Sequence, residues 1–265
     1  MRRLFSNMPL AFISLTFPAT AIAESNVVSF VSCPIYRDAD AGKKSGCWLT
    51  DNPGTAQRYD VSKATSKPDW NYGVLVEGKV SDEQDNACGG VVLAPVSVSI
   101  LQEKPCTRFM LPAEGYPGRP FVLPETNTVP LSVERVPPEP PFSDRTFSIL
   151  FNFNDDFVTY QHGDYYVDQT IQWIRGTNPA EIIITGYADL TEHAISDYPI
   201  VEDADMAQKR AEKIAFTLKR LGVSDDLMTV QWESETDEAP DQEGADGLPI
   251  ASRRRVDIEI IQSGD

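Results

Sequence analysis

Basic residues are scarce in this chain. Its 265 residues include 23 lysines and arginines against 40 aspartates and glutamates, a formal net charge of -17. Such a chain does not hold nucleic acid or anionic lipid through bulk charge. Histidine is scarcer, with only His162 and His193, and the Gly-x-Ser-x-Gly turn that presents a nucleophilic serine is absent. Acids are plentiful, yet no two can be given acid and base roles, so no catalytic residue is expected. No cofactor is implied either.

Long apolar runs are also lacking. Beyond the first 23 residues, no segment approaches the ~20 continuous apolar residues that a spanning helix requires. Residues 1–23 read as a secretory signal: Arg2 and Arg3, an apolar middle from Met8 to Phe17, and the small-residue site Ala21-Ile22-Ala23. Cleavage there would remove two arginines, leaving 21 basic residues (23 - 2) against 40 acidic ones, or -19. No cysteine stands beside that site, which argues against lipid anchoring.

The four cysteines, Cys33, Cys47, Cys88 and Cys106, all fall in the first half. An even number in an exported chain implies disulfides, and three pairings are open. The expected pairs are Cys33 with Cys47 and Cys88 with Cys106. Zinc is the rival, but the spacings are not those of paired knuckles.

Composition divides the rest into three stretches. Residues 24–123 carry short apolar runs between turn formers, including Val27 to Val31, Tyr72 to Val80 and the alternation Val96-Ser97-Val98-Ser99-Ile100. These predict a small disulfide-bonded all-β domain, barrel or sandwich, with Gly78 at a strand bend. Residues 124–145 hold Pro124, Pro130, Pro137, Pro138, Pro140 and Pro141, which predict an extended, semi-rigid linker. From 146 to 265 the periodicity alternates. Phe147, Ile149, Phe151 and Phe153 predict a strand; Val167, Thr170, Ile171 and Ile174 a helix stopped by Gly176 and Asn178-Pro179. Ile182 to Tyr187 reads as a central strand, Ala207 to Leu221 as a helix closed by Gly222, and Met228 to Trp232 and Val256 to Ile260 as further strands. The order βαβαβ…β predicts an α+β fold, a mixed sheet covered by helices.

Three segments of this last stretch are distinctive: Ile-Thr-Gly-Tyr-Ala-Asp at 184–189, Gln-Lys-Arg-Ala at 208–211 and Arg-Arg-Arg-Val at 253–256. Together they resemble the OmpA-like C-terminal (peptidoglycan-binding) domain family over roughly residues 146–263. The resemblance implies that Asp189 and Arg210 grip a diaminopimelate of the wall peptide, with Asp203, Tyr187, Asn154 and Arg254 around them. A ligand bearing an ammonium and a carboxylate on one carbon needs an anion beside a cation, and a carboxylate and a guanidinium supply them. At helical spacing Asp203 would cap the second helix and sit above Arg210. Asn152, Asn154 and Asp155 either reach the pocket rim or cap a turn.

The sequence departs from the family in three places. Asp203 and Arg253 stand where the family has asparagine, and Asp189 and Arg210 are 21 residues apart (210 - 189), longer than the family by an insert within Leu190 to Asp205. That acidic insert reads as a lid or a solvated loop; it lacks the regular spacing of a calcium loop. The function implied is peptidoglycan binding that tethers a periplasmic β domain to the wall, with outer-membrane or periplasmic proteins as further partners. The alternative is an envelope scaffold or sensor that keeps the fold and has lost the wall.

Overall fold

The computed structural model describes residues 26–39, 44–113, 115–120, 133–159, 162–233 and 236–263. The expected signal, residues 1–23, and the 124–132 part of the expected linker lie outside them. Among the described residues no helix is long and apolar enough to cross a membrane.

The first half is a barrel. Its strands are β1 (Val27–Ser32), β2 (Pro34–Arg37), β3 (Lys44–Ser45), β4 (Cys47–Asp51), β5 (Arg58–Asp60), β6 (Tyr72–Val80), β7 (Val91–Pro105), β8 (Phe109–Leu111) and β9 (Arg119–Pro120). β1 and β2 are one strand interrupted at Cys33. The first pairs with β6 and the second with β4, so the sheet order β1-β6-β7-β5-β4-β2-β8 returns to its starting strand and curls closed. The ladder slips between Gly78 and Val80, which places the expected bend at Gly78 in a bulge. Phe30, Val61, Val74, Val76, Leu93 and Val98 fill the interior.

The disulfides are Cys33–Cys106 and Cys47–Cys88, each with Cα atoms 5.8 Å apart. This corrects the expected pairs. Arg37 faces Cys47 across the β2–β4 ladder, which leaves Cys33 four residues from facing it. At ~3.3 Å per residue that is roughly 13 Å, beyond the ~7 Å within which a bridge can form. Cys88 and Cys106 flank opposite ends of the 15-residue β7. All four thiols are consumed, so none is left to bind zinc.

The second half follows the expected order except that its first strand stops short of Phe151 and Phe153 and a hairpin, β12–β13, interrupts it: β10 (Arg145–Leu150), α1 (Gly163–Thr177), β11 (Glu181–Tyr187), β12 (His193–Ile195), β13 (Tyr198–Ile200), α2 (Met206–Arg220), β14 (Met228–Glu233) and β15 (Arg255–Ile261). A four-stranded sheet β10-β15-β11-β14 mixes antiparallel pairs with the parallel β11–β14 pair. Phe147, Ile149, Ile184 and Ile258 meet Ile171, Ile174, Ile214 and Leu218 of the two helices. Asn178 ends α1 at φ 51° and Gly222 follows α2 at φ 96°, both left-handed exits, while Gly176, expected to help stop the first helix, lies within it. Gly186 brings β11 against α2: a Cβ there would lie 2.1 Å from the Ala207 carbonyl oxygen.

The halves are not spaced apart. Val31, Leu75, Ser99 and Leu101 alternate with barrel-core residues and therefore point outward, yet all are buried. Val31, Leu75 and Leu101 join Phe153, Ile195 and Ile200 in one cluster, and Ser99 Oγ accepts the Phe153 N–H at 2.8 Å. The described part of the proline-rich stretch runs along α1: Arg135 bonds Asp168 at 2.9 Å, Pro138 packs over Gly176, and Phe142 meets Trp173 edge-on. The expectation of an extended spacer gives way there to a docked strap.

Candidate functional site

Arg210 is built into the interior. The Gly186 contact holds α2 against β11, and the guanidinium points away from solvent at 0% exposure. Its five donors meet five acceptors. Nη2 and Nη1 bond the two Glu202 carboxylate oxygens at 2.5 and 2.9 Å, and the others reach the carbonyls of Asp155, Tyr187 and Asn152 at 3.0 Å each. The expected alignment of Arg210 beside Asp189 at an open site is corrected by this geometry. Burial pushes the Glu202 carboxyl upward. The bonds and charge of Arg210, the field of Arg254 and the Asp189 N–H together outweigh that and hold it below its ordinary value.

Glu202 comes from the insert, which forms neither a lid nor a solvated loop. β12 and β13 make a hairpin whose Ile195 and Ile200 enter the cluster shared with the barrel, and the Val31 N–H donates to Ser196 Oγ at 3.2 Å. The chain leaving the hairpin then drops Glu202 onto Arg210. Asp203, expected above Arg210 as the helix cap, is exposed instead. Asp205 holds the cap position without a side-chain capping bond, and Asp203 exchanges bonds with Asn154 at 3.0 and 3.2 Å.

Arg254, expected beside the pocket, is also at 0% exposure. It forks onto Glu77, an outward-facing β6 residue of the barrel that is 2% exposed. Burial lowers the Arg254 pKa, but Glu77, Glu202 and Asp189 outweigh it and raise it. Glu77, Arg254, Glu202 and Arg210 thus form an alternating series of buried charges across the junction of the halves.

The neighbouring Arg253 faces outward. A cleft of about 660 Å³ opens at the exit of β11, lined by Tyr187, Asp189, Thr191, Glu233, Asp237, Arg253 and Arg255 among others. Asp189 Oδ2 lies 2.8 Å from His193 Nε2, and its Oδ1 lies 3.7 Å from Arg253 Nη1. Arg253 Nη2 bonds Glu238 at 3.1 Å, Nη1 reaches Thr191 Oγ1 only at 3.5 Å, and Nε has no partner among the described residues. Arg255 is firmly held by Asp257, Ser252 and Asp237 and covers the Tyr187 ring at 4.6 Å. Burial, with Asp257 and Glu233 nearby, raises the Tyr187 pKa.

Of the residues singled out from the sequence, Asp189 and Tyr187 line this cleft, Arg210 and Arg254 are internal, and Asn154 with Asp203 sits elsewhere. Thr191, Arg253 and Arg255 complete the walls. Arg253 was marked in the sequence by its substitution for asparagine; nothing local marked Glu202 or Glu77. Among the described residues no group of three or more His, Cys, Asp or Glu side chains is placed to hold a metal.

No family model and no curated protein matches this chain. Solved structures do, and the chain is similar to OmpA-like domains among them. One is the OmpA-like domain of FopA1 from Francisella tularensis, at 16% identity over 44% of this chain and 71% of that one, TM-score 0.34. Another is the peptidoglycan-associated lipoprotein from Burkholderia pseudomallei, at 26% over 42% and 87%, TM-score 0.32. A third is the cell wall anchor of the T6SS from Pseudomonas aeruginosa, at 19% over 45% and 82%, TM-score 0.34.

Proposed function

We propose that this chain is a non-catalytic peptidoglycan-binding protein of the cell envelope, and that its ligand site is the cleft between Asp189 and Arg253. The observation that carries the proposal is an opposite-sign pair at the cleft wall whose mutual contact is long, 3.7 Å, with Asp189 resting on His193 and the Thr191 N–H and Arg253 on Glu238. Asp189 accepts the ammonium of a zwitterionic diaminopimelate and Arg253 donates to its carboxylate, a role assigned to Arg253 because the donors of Arg210 are already occupied. Bonds to charged groups contribute ~1.5–3 kcal/mol each. Two or three, less the cost of immobilising the ligand, give a dissociation constant in the micromolar to millimolar range. An anchor on a polymer works at that strength through local concentration. The barrel, fixed to the same body, is held at the wall with it.

The test is cosedimentation of the full chain with purified sacculi, alongside titration with diaminopimelate. Asp189→Asn and Arg253→Ala should each weaken both by at least about tenfold, the loss of one charged contact. Retention undiminished in both variants removes the proposal.

A second reading has its own observation. Glu202 occupies Arg210 as a ligand carboxylate would, which suits an envelope scaffold that has lost wall affinity and acts through protein partners. Wild-type chain that neither cosediments with sacculi nor binds diaminopimelate favours this reading.

A further inference from the structure

A second cleft, of about 630 Å³, opens where the barrel meets the second half. Leu101 and Phe153 form its floor, and Ile100 and Val201, 38% and 42% exposed, stand on its flanks. Its charged lining residues are Glu103 and Asp155, and no lining residue is basic. The nearby Lys104 ammonium is turned over the Tyr198 ring at 5.5 Å.

The backbone at the cleft is unusual too. Gly73 faces Leu101 and Tyr72 faces Pro105, so residues 102–104 of β7 have no partner on β6. Pairing with β5, on the other side, is confined to Val91 and Val92. This stretch of β7 therefore bulges from the β6 ladder and, among the described residues, has no strand beside it on the β5 side, and it runs beside an apolar floor with an anionic rim. Open edges are templates for an added strand.

We propose that this cleft binds an extended segment of a partner polypeptide that carries a lysine or arginine beside an aliphatic residue. The aliphatic side chain covers Leu101 and Phe153, the cation lies toward Glu103 and Asp155, and the segment's backbone pairs with residues 102–104. The acidic rim selects against an acidic segment. Because barrel, hairpin and second half all line the cleft, an occupant would touch all three. The proposal uses none of the residues of the Asp189–Arg253 cleft and stands apart from the wall-binding reading.

The test is amide NMR and hydrogen exchange on the full chain with two probes, acetyl-Val-Lys-Val-Lys-Val-amide and acetyl-Val-Glu-Val-Glu-Val-amide, and with acetyl-lysine amide. The lysine peptide should give saturable shifts at Ile100–Glu103 and Tyr198–Val201 and slow exchange at 102–104. Glu103→Lys and Val201→Asp, both at exposed positions, should weaken it about tenfold, and Arg253→Ala should leave it unchanged. Absence of saturable shifts overturns the proposal, as does equal binding of the glutamate peptide. If acetyl-lysine amide alone binds as tightly, the site is for a small cation and the peptide assignment is wrong.

Discussion

Arg210 and Arg253 are held in different physical states. Arg210 has all five donors filled, no exposure, and a carboxylate partner inside hydrogen-bonding distance. Arg253 is held loosely, its nearest Asp189 oxygen 3.7 Å away and one donor unpaired. A buried charge must be closed off by partners to exist at all, since an uncompensated one costs several kcal/mol. A guanidinium at a cleft wall whose contacts are 3.1 to 3.7 Å long can exchange one of them for a ligand. The contrast separates a residue that holds the fold from one that can recognise something.

The largest effects should come from opening the buried series. Arg210→Ala leaves Glu202 ionised and unpaired in the interior, and Glu77→Ala does the same to Arg254. Each should lower stability by about 3–5 kcal/mol in urea unfolding. Replacing Glu202 and Arg210 together by methionine should recover only part of that loss, since it removes the buried charges but strips the carbonyls of Asp155, Tyr187 and Asn152 and the N–H groups of Asn154 and Asp189 of their partners. If the double variant folds but no longer cosediments with sacculi, Arg210 belongs to the ligand site after all and the comparison breaks.

An intermediate effect follows from pH. The Glu202 carboxyl titrates below its ordinary value of 4.5 in the folded chain. Above pH 4.5 it is ionised in both states and its contribution is complete. As pH falls below 4.5 the unfolded state takes up the proton first, so stability drops until the folded pKa is passed, by at most about 1.4 kcal/mol per pH unit. Glu202→Gln removes that dependence. The stability gap between wild type and variant, measured by urea unfolding from pH 7 down to pH 3, should narrow only below pH 4.5.

Much of the second half was legible in the sequence because its cues are local. Apolar spacing marked α1 and α2, and Asn178 and Gly222 marked their exits. The cleft was half legible: Asp189 and Tyr187 follow from the end of β11, and Arg253 was flagged as a substitution. What could not be read depends on contacts distant in sequence. Glu77 and Arg254 are 177 residues apart, and Glu77 is buried only because the second half covers the outward face of β6. The disulfide pairing failed for the same reason, since barrel closure sets which cysteines meet. In the insert, acidic residues suggested a solvated loop, whereas Ile195 and Ile200 decided its docking.

The smallest expected change in stability is at Arg253 itself, and it sharpens the comparison most. Its partners Glu238 and Asp189 are a partly exposed acid at 3.1 Å and a carboxylate at 3.7 Å. The exposed Glu238 contact is worth ~0–1 kcal/mol, and the buried Asp189 keeps His193 and the Thr191 N–H when Arg253 is removed, so Arg253→Ala should unfold in urea within about 1 kcal/mol of wild type. The same substitution should weaken diaminopimelate by at least about tenfold. Arg210→Ala should show the reverse weighting, with stability lost first. A variant of Arg253 that is destabilised as severely as one of Arg210 would mean that the loose contacts are carrying the fold, and the cleft would then have no spare cation to offer a ligand.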